Sequence, residues 1–264
     1  MQKVYAFSTA RKRLDDMSHG GVMQWMITEL DEVASTATLA KERIQRGDAV
    51  HGEVLQAQHQ TGGRGRMAGR HWLDEPGASL LMNVTLLELS VPVEVLQLFT
   101  ALAVLDAVRA LSSAQTGGVD VRLKLPNDLL ALDGRKLCGI LTEVVWQGSR
   151  FAGATLGIGM NVRQSNFEGP LADQALSLRM LGMDLDVAAV RDHILASIER
   201  SLRLVASLEP AVAQAQILER AEREDAACTP WLRSMNSDDR AAARERVADL
   251  EHFQQLRHHG TPRS

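Results

Sequence analysis

The stretch VRLKLPNDLLALDGRKLCGILTEVVWQGSRFAGATLGIGMNV, residues 121–162, decides the fold. Apolar and branched residues dominate it, and turn chemistry interrupts it twice. Asp133–Gly134 stands between two apolar runs, a strong hairpin signal because such a turn needs residues that tolerate positive φ. Gln147–Gly148–Ser149 marks a second reversal. Pro126 cannot donate to a ladder, so a bulge or strand end is expected there. The segment reads as an antiparallel meander.

N-terminal to this block, STATLAKERIQRG (35–47) predicts a helix. Ser35 or Thr36 caps it, Leu39, Arg43 and Ile44 share a face, and Gly47 ends it. HGEVLQAQ (51–58) and ASLLMNVTLLEL (78–89) read as strands. In PVEVLQLFTALAVLDAVRAL (92–111), Val95, Leu98, Phe99, Leu102, Leu105 and Val108 recur at three- and four-residue spacing, which predicts an amphipathic helix with one face on the core. DVAAVRDHILASIERSLRLV (186–205) predicts another. Three regions follow: an irregular N-terminal extension at 1–30, a main domain at 31–207, and an appendage at 208–264. The appendage is rich in Ala, Glu and Arg, which are strong helix formers. Val212, Ile217 and Leu218 give it a thin apolar stripe, so modest packing is expected, and RHHGTPRS at the end reads as disordered.

The 264 residues suit one sizeable domain with an appendage, or two small domains. Hydrophobic residues make up 45% but aromatics only 4%, so Leu, Val, Ala and Met must build the core. A net charge of -4 argues against a general nucleic-acid binder, which needs a basic surface to meet phosphates. Two cysteines, Cys138 and Cys228, are too few for a disulfide framework and point to a reducing cytoplasm. No apolar run reaches the roughly 18 residues of a membrane span. The N-terminus lacks the apolar stretch of a signal peptide.

Four segments carry chemistry. QTGGRGRMAGRHW (60–72) joins four glycines to three arginines. Such a backbone is free to move until something negative orders it. It lacks the Lys-Ser or Lys-Thr of a P-loop and the strand-to-helix setting of a dinucleotide fingerprint. Read alone, it is a surface loop. KLPNDLL (124–130) puts adjacent Asn127 and Asp128 after a strand, where an ordinary turn is the simpler reading. GRKLCGILTE (134–143) brings Lys136 into an apolar strand beside Gly139. GIGMNV (157–162) places two glycines in a strand, which weakens it and signals close approach of another group.

Together and in this order, these segments resemble the motifs of bacterial biotin–protein ligases, over about residues 31–207. The resemblance implies an α+β fold like the class II aminoacyl-tRNA synthetase core, a mixed, largely antiparallel sheet packed with helices. It implies activation of biotin by ATP as biotinyl-AMP, then transfer to a lysine of a biotin carboxyl carrier protein. Mg²⁺ would arrive on ATP and not in a protein metal site. The implied setting is cytoplasmic, without membrane or nucleic-acid partners, and a homodimer stays open. Both reactants of the first step are anionic, so fixed cations must offset their repulsion. The resemblance gives that work to Arg64, Arg66 and Lys136. Asp128 would orient, or deprotonate, the acceptor lysine. Ser35, Thr36 and Gln60 would meet biotin's polar ring, with Trp72 as an apolar wall. Gly65, Gly139, Gly157 and Gly159 would let ligand and backbone approach. Lys124, Asn127 and Asn161 fall on the nucleotide side.

The match departs from the family pattern at four places. The loop GRGRMAGRHW is one residue longer than usual. Leu125 replaces the usual Trp, and Ala37 stands where Asn often follows Ser-Thr. Residues 208–264 show no strands of the small C-terminal barrel that many members carry. Residues 1–30 are too short and irregular for the DNA-binding domain of members that are also repressors. Two rival readings remain: a ligase for another carboxylic acid such as lipoate, and a non-catalytic binder of biotin or its adenylate.

Overall fold

The computed structural model describes residues 3–4, 23–63, 65, 72–113 and 119–234. Among the described residues one sheet of eight strands forms. In chain order these are β1 (Lys3–Val4), β2 (Met26–Val33), β3 (Glu53–Gln60), β4 (Ser79–Leu86), β5 (Val121–Lys124), β6 (Asp128–Ala131), β7 (Lys136–Gln147) and β8 (Arg150–Asn161). Their spatial order is β1-β2-β3-β4-β8-β7-β6-β5. The expected meander is there as β5 to β8, each pair antiparallel. Gly134 (φ 88°) and Gly148 (φ 63°) lie in two of its hairpin turns, and Pro126 lies in the third, between β5 and β6. Only β2 and β3 run parallel. The helix α1 (Thr36–Arg46) makes that crossover. The mixed, largely antiparallel sheet with helices is the expected fold class.

The two faces of the sheet differ. Cross-strand partners share a face, so Leu80, Met82, Val84 and Leu86 of β4 align with Met160, Ile158, Leu156 and Ala154 of β8. These enter the main core with three helices, α2 (Leu96–Ser113), α3 (Val187–Ala206) and α4 (Pro210–Ser234). The opposite face carries successive rows: Leu81–Gly159–Gly139, Asn83–Gly157–Leu141 and Thr85–Thr155–Glu143. It is covered by α1, whose Ile44 packs with Ala49 and Val145. A Cβ on Gly153 would come within 3.2 Å of that isoleucine. Lys41 of α1 pairs with Glu143 at 2.7 Å. Glycines on β7 and β8 thus thin one face of the sheet beside the start of α1, and a cleft forms there.

Four expectations are corrected. The sheet starts before residue 31: Met26–Leu30 belong to β2, and Met23 is in the core. The acidic residues of MITELDEV hide that strand's pattern. Second, α2 is not a one-faced helix, since Ala101, Ala103, Val104 and Ala107 are buried as well. It lies between the sheet and the other two core helices, so nearly its whole circumference is apolar. Third, an apolar run does reach membrane-spanning length. Within Val93–Ser113 an 18-residue window has a mean hydropathy of 1.6, and 78% of that window is buried inside the protein, as a core helix requires. Fourth, the appendage packs more fully than its stripe suggested. Val212 is exposed, while Ala213, Ile217, Leu218 and Ala221 join the main core. Arg109 of α2 makes a bidentate pair with Glu224 at 2.8 and 2.9 Å, and Arg220 pairs with Asp106. Residues 235–264, including RHHGTPRS, lie outside the described residues.

Candidate active site

The N-terminus of α1 and the end of β3 meet at the cleft. Ser35 caps the helix as expected, its Oγ accepting from the Thr38 N–H at 3.4 Å. Gln60, the last residue of β3, accepts at Oε1 from the Thr36 N–H (2.8 Å) and the Thr36 hydroxyl (3.0 Å). Both acceptor directions of that oxygen are used, so the Nε2 group is what Gln60 has left to offer a ligand. Ser35, Thr36 and Gln60 all line this cleft.

The floor is glycine and tryptophan. A Cβ on Gly159 would sit 3.1 Å from the Trp72 ring, and one on Gly139 would sit 3.1 Å from its Cζ3. The group that approaches Gly159 is therefore the indole itself, which turns the bare strands into an apolar wall. Gly157 also lines the cleft, over the Asn83 amide. The backbone N–H of Trp72 donates to the Gly63 carbonyl at 3.0 Å, drawing together the two ends of the glycine–arginine segment. Gly65 lines the cleft. Arg64 and Arg66 lie outside the described residues.

Charge enters from β6 and β7. Lys136 opens β7, and its Nζ lies 2.7 Å from Asp128 Oδ1 and 5.8 Å from the centre of the Trp72 ring. The second distance allows a cation–π contact. Its backbone is fixed on both sides, with the N–H donating to Gln174 (2.7 Å) and the carbonyl accepting from Leu176 (3.1 Å). Asn127 lines the cleft, and its carbonyl accepts from the Ile140 N–H at 2.8 Å.

Three expected residues do not line the cleft: Lys124, Asn161, and Asp128, which reaches it through its pair with Lys136. Lys124 ends β5 opposite Asp128. Asn161 is buried and donates to the carbonyls of Lys136 (3.4 Å) and Leu176 (3.1 Å). Those bonds occupy its amide hydrogens and tie it to the backbone behind Lys136. Sequence reasoning missed Asn83, fully buried with neither amide atom partnered among the described residues. Its signal was a lone amide inside the apolar run LLMNVTL. It also missed a contact of 2.9 Å between His59 Nδ1 and Asp74 Oδ2. That bond, helped by the charges of Asp74 and Glu32, raises the His59 pKa. Cys138 is no nucleophile, because burial pushes its thiol far up. Among the described residues no cluster of three or more His, Cys, Asp or Glu could hold a metal ion.

The arrangement pairs neutral hydrogen-bonding groups with an apolar floor and a cation held by a carboxylate. It suits a ligand with a polar uncharged head, an apolar body and an acid group. The biotin/lipoate A/B protein ligase family matches residues 30–161. The chain is 37% identical over 212 residues to a biotin–[acetyl-CoA-carboxylase] ligase of Mycobacterium tuberculosis, covering 77% of this chain and 70% of that protein. It is 35% identical over 176 residues to the bifunctional ligase/repressor BirA of Bacillus spizizenii, covering 66% of this chain. The chain spans about half the length of that relative, 52%. Among solved structures, the biotin protein ligase of Aquifex aeolicus in complex with biotin and ATP superposes with a TM-score of 0.59 at 28% identity, covering 72% of this chain and 76% of that one.

Proposed function

The chain belongs to the biotin/lipoate A/B protein ligase family, and from that premise we propose that it is an ATP-dependent biotin–[biotin carboxyl-carrier protein] ligase. The observation that carries this reading is the meeting, in one cleft, of the Thr36–Gln60 hydrogen-bonding pair with Lys136. In the first half-reaction a biotin carboxylate oxygen bonds to the α-phosphorus of ATP. The bond from that phosphorus to the bridging oxygen breaks, and pyrophosphate leaves with the electron pair. Lys136 neutralises charge where the two anions meet, and Asp128 holds the lysine in place until they arrive. Gln60 Nε2 donates to the ureido oxygen, and Trp72 packs against the apolar body. Arg64 and Arg66 supply further positive charge. Asn127 serves the nucleotide side. Mg²⁺ accompanies ATP on its phosphates, and no step here depends on a protein-held metal.

In the second half-reaction the carrier's lysine amine attacks the acyl carbon and AMP leaves with its electron pair. The amine's proton passes to a carboxylate, for which Asp128 is the candidate. The domain bearing this chemistry spans about 31–207, extended by β2 to Met26, and a cytoplasmic location accords with an ATP-dependent reaction on a carrier protein. The test is pyrophosphate release by the purified protein with ATP and biotin, lipoate or octanoate in parallel. Release with biotin alone among the acids, followed by labelling of a carrier domain, is expected. Biotin binding without pyrophosphate release would leave a non-catalytic binder. Release with lipoate but not biotin would reassign the substrate.

A further inference from the structure

We propose that His59 and Asp74 form a positioning clasp that sets the Trp72 ring over Gly159 and Gly139, and so governs how firmly the cleft holds its ligand. The ligand half of this claim rests on the function proposed above, and the positioning half does not.

The geometry is local and specific. His59 precedes Gln60 at the end of β3. Asp74 follows Trp72 by two residues on the segment that returns to β4. Their contact, at 2.9 Å, bridges the two flanks of the glycine–arginine segment. It acts with two backbone bonds, from the Trp72 N–H to the Gly63 carbonyl (3.0 Å) and from the Gly77 N–H to the Gln58 carbonyl (2.9 Å). The Asp74 side chain is 1% exposed, and its second oxygen has no partner among the described residues. A buried carboxylate with one hydrogen bond depends heavily on that bond. Leu73, between Trp72 and Asp74, is 65% exposed and anchors nothing. The indole Nε1 is buried without a partner among the described residues, so none of them fixes the ring by a hydrogen bond to it. The ring's placement therefore falls to its backbone bond, its packing and the Asp74 anchor.

The clasp titrates. Among the described residues, Asp74 and Glu32 are the charged groups that act on His59, with Glu32 its register partner on β2. Both favour the imidazolium. The folded pKa is raised above the ordinary 6.5. The ionic part of the clasp is therefore complete below 6.5 and is lost as pH rises through the raised value. Above it a neutral ring still donates Nδ1–H, so the clasp weakens but does not vanish.

The experiment has two arms on the full chain. In the ligand-free arm, the His59 ring and the Trp72 indole N–H are followed by NMR across pH, the indole signal being identified by its loss in Trp72→Phe. The Trp72 signal should shift with the His59 midpoint in the wild type and stay flat in His59→Asn, which keeps a donor but does not titrate. A Trp72 signal indifferent to the titration of His59 overturns the clasp. In the second arm, preformed biotinyl-adenylate is chased and its release timed. Release should quicken about fivefold between about pH 6 and pH 9, the size expected when a charge-assisted bond becomes a neutral one. His59→Asn and Asp74→Asn should each flatten that profile, and His59→Ala should release fast throughout. A wild-type profile in His59→Asn overturns the proposal even if the protein is an active ligase. Coupled titration without any adenylate formed would sink the proposed function and leave the clasp standing.

Discussion

At the level of single residues, the site works by placing few groups well. Lys136 is the one cation among the described residues that lines the cleft. Replacing it with alanine should slow adenylate formation about a hundredfold, on the order of 3 kcal/mol, as losing one preorganised charge does elsewhere. Near-normal pyrophosphate release by a folded Lys136→Ala protein would remove the residue from that role. Gly159→Ala tests the floor. Its Cβ would lie 3.1 Å from the indole, tighter than most such contacts, so the ring must give by a few tenths of an ångström. Overpacking of this kind costs roughly 1–3 kcal/mol. Biotin affinity measured by calorimetry should fall about tenfold or more, a shift of about 1.4 kcal/mol. Unchanged affinity would mean that the ring is not a wall for the ligand.

Among the elements, the hairpins were legible because their turns need particular residues. Asp133–Gly134 and Gln147–Gly148 close them with glycines at positive φ. The helix α1 was legible for the same kind of reason, with Ser35 and Gly47 as its caps. The motif glycines pointed to a thinned strand face, but not to what fills it. That Trp72 lies over Gly159 and Gly139 depends on how a distant segment returns to the sheet. The sequence could not show that Asn161 would be spent on the carbonyls of Lys136 and Leu176, or that His59 would find Asp74. Such pairings rest on tertiary register and not on local spacing. One further pairing of this sort gives a pH prediction. His51 sits in the turn before β3, and its Nδ1 accepts from the Leu87 N–H at 3.1 Å. Only the neutral ring can accept, and burial lowers its pKa below 6.5. A depressed histidine contributes stability above 6.5, which is lost as pH falls from there through the lowered folded value. His51→Asn keeps an acceptor without the titration, so the acid fall in Tm should be shallower than in the wild type. Identical acid limbs would show that His51 does not contribute.

For the molecule as a whole, the question is where the chain can be cut. Its sequence divides at about residue 208, and an appendage held by a thin stripe would be dispensable. The packing of α4 says otherwise. Ile217 and Leu218 enter the main core with Ala213 and Ala221. Glu224 and Arg220 pair with Arg109 and Asp106 across to α2. Burying one aliphatic side chain contributes about 1.5–3 kcal/mol. Two such residues and their alanine neighbours are therefore worth roughly 5 kcal/mol, a large share of the stability of a domain this size. Ending the chain after Leu208 would also bare α2, which is apolar around most of its circumference. The expected outcome is a protein that aggregates, or whose Tm falls by about 10 °C or more. Ending it after Ser234 instead keeps α4. That shorter protein should stay folded and should still release pyrophosphate, because the cleft residues all precede residue 160. Any defect should then appear in transfer to the carrier. A truncation after Leu208 that melts like the full chain would show that α4 rests on the core without supporting it. A folded truncation after Ser234 that forms no adenylate would bring residues 235–264 into the nucleotide site.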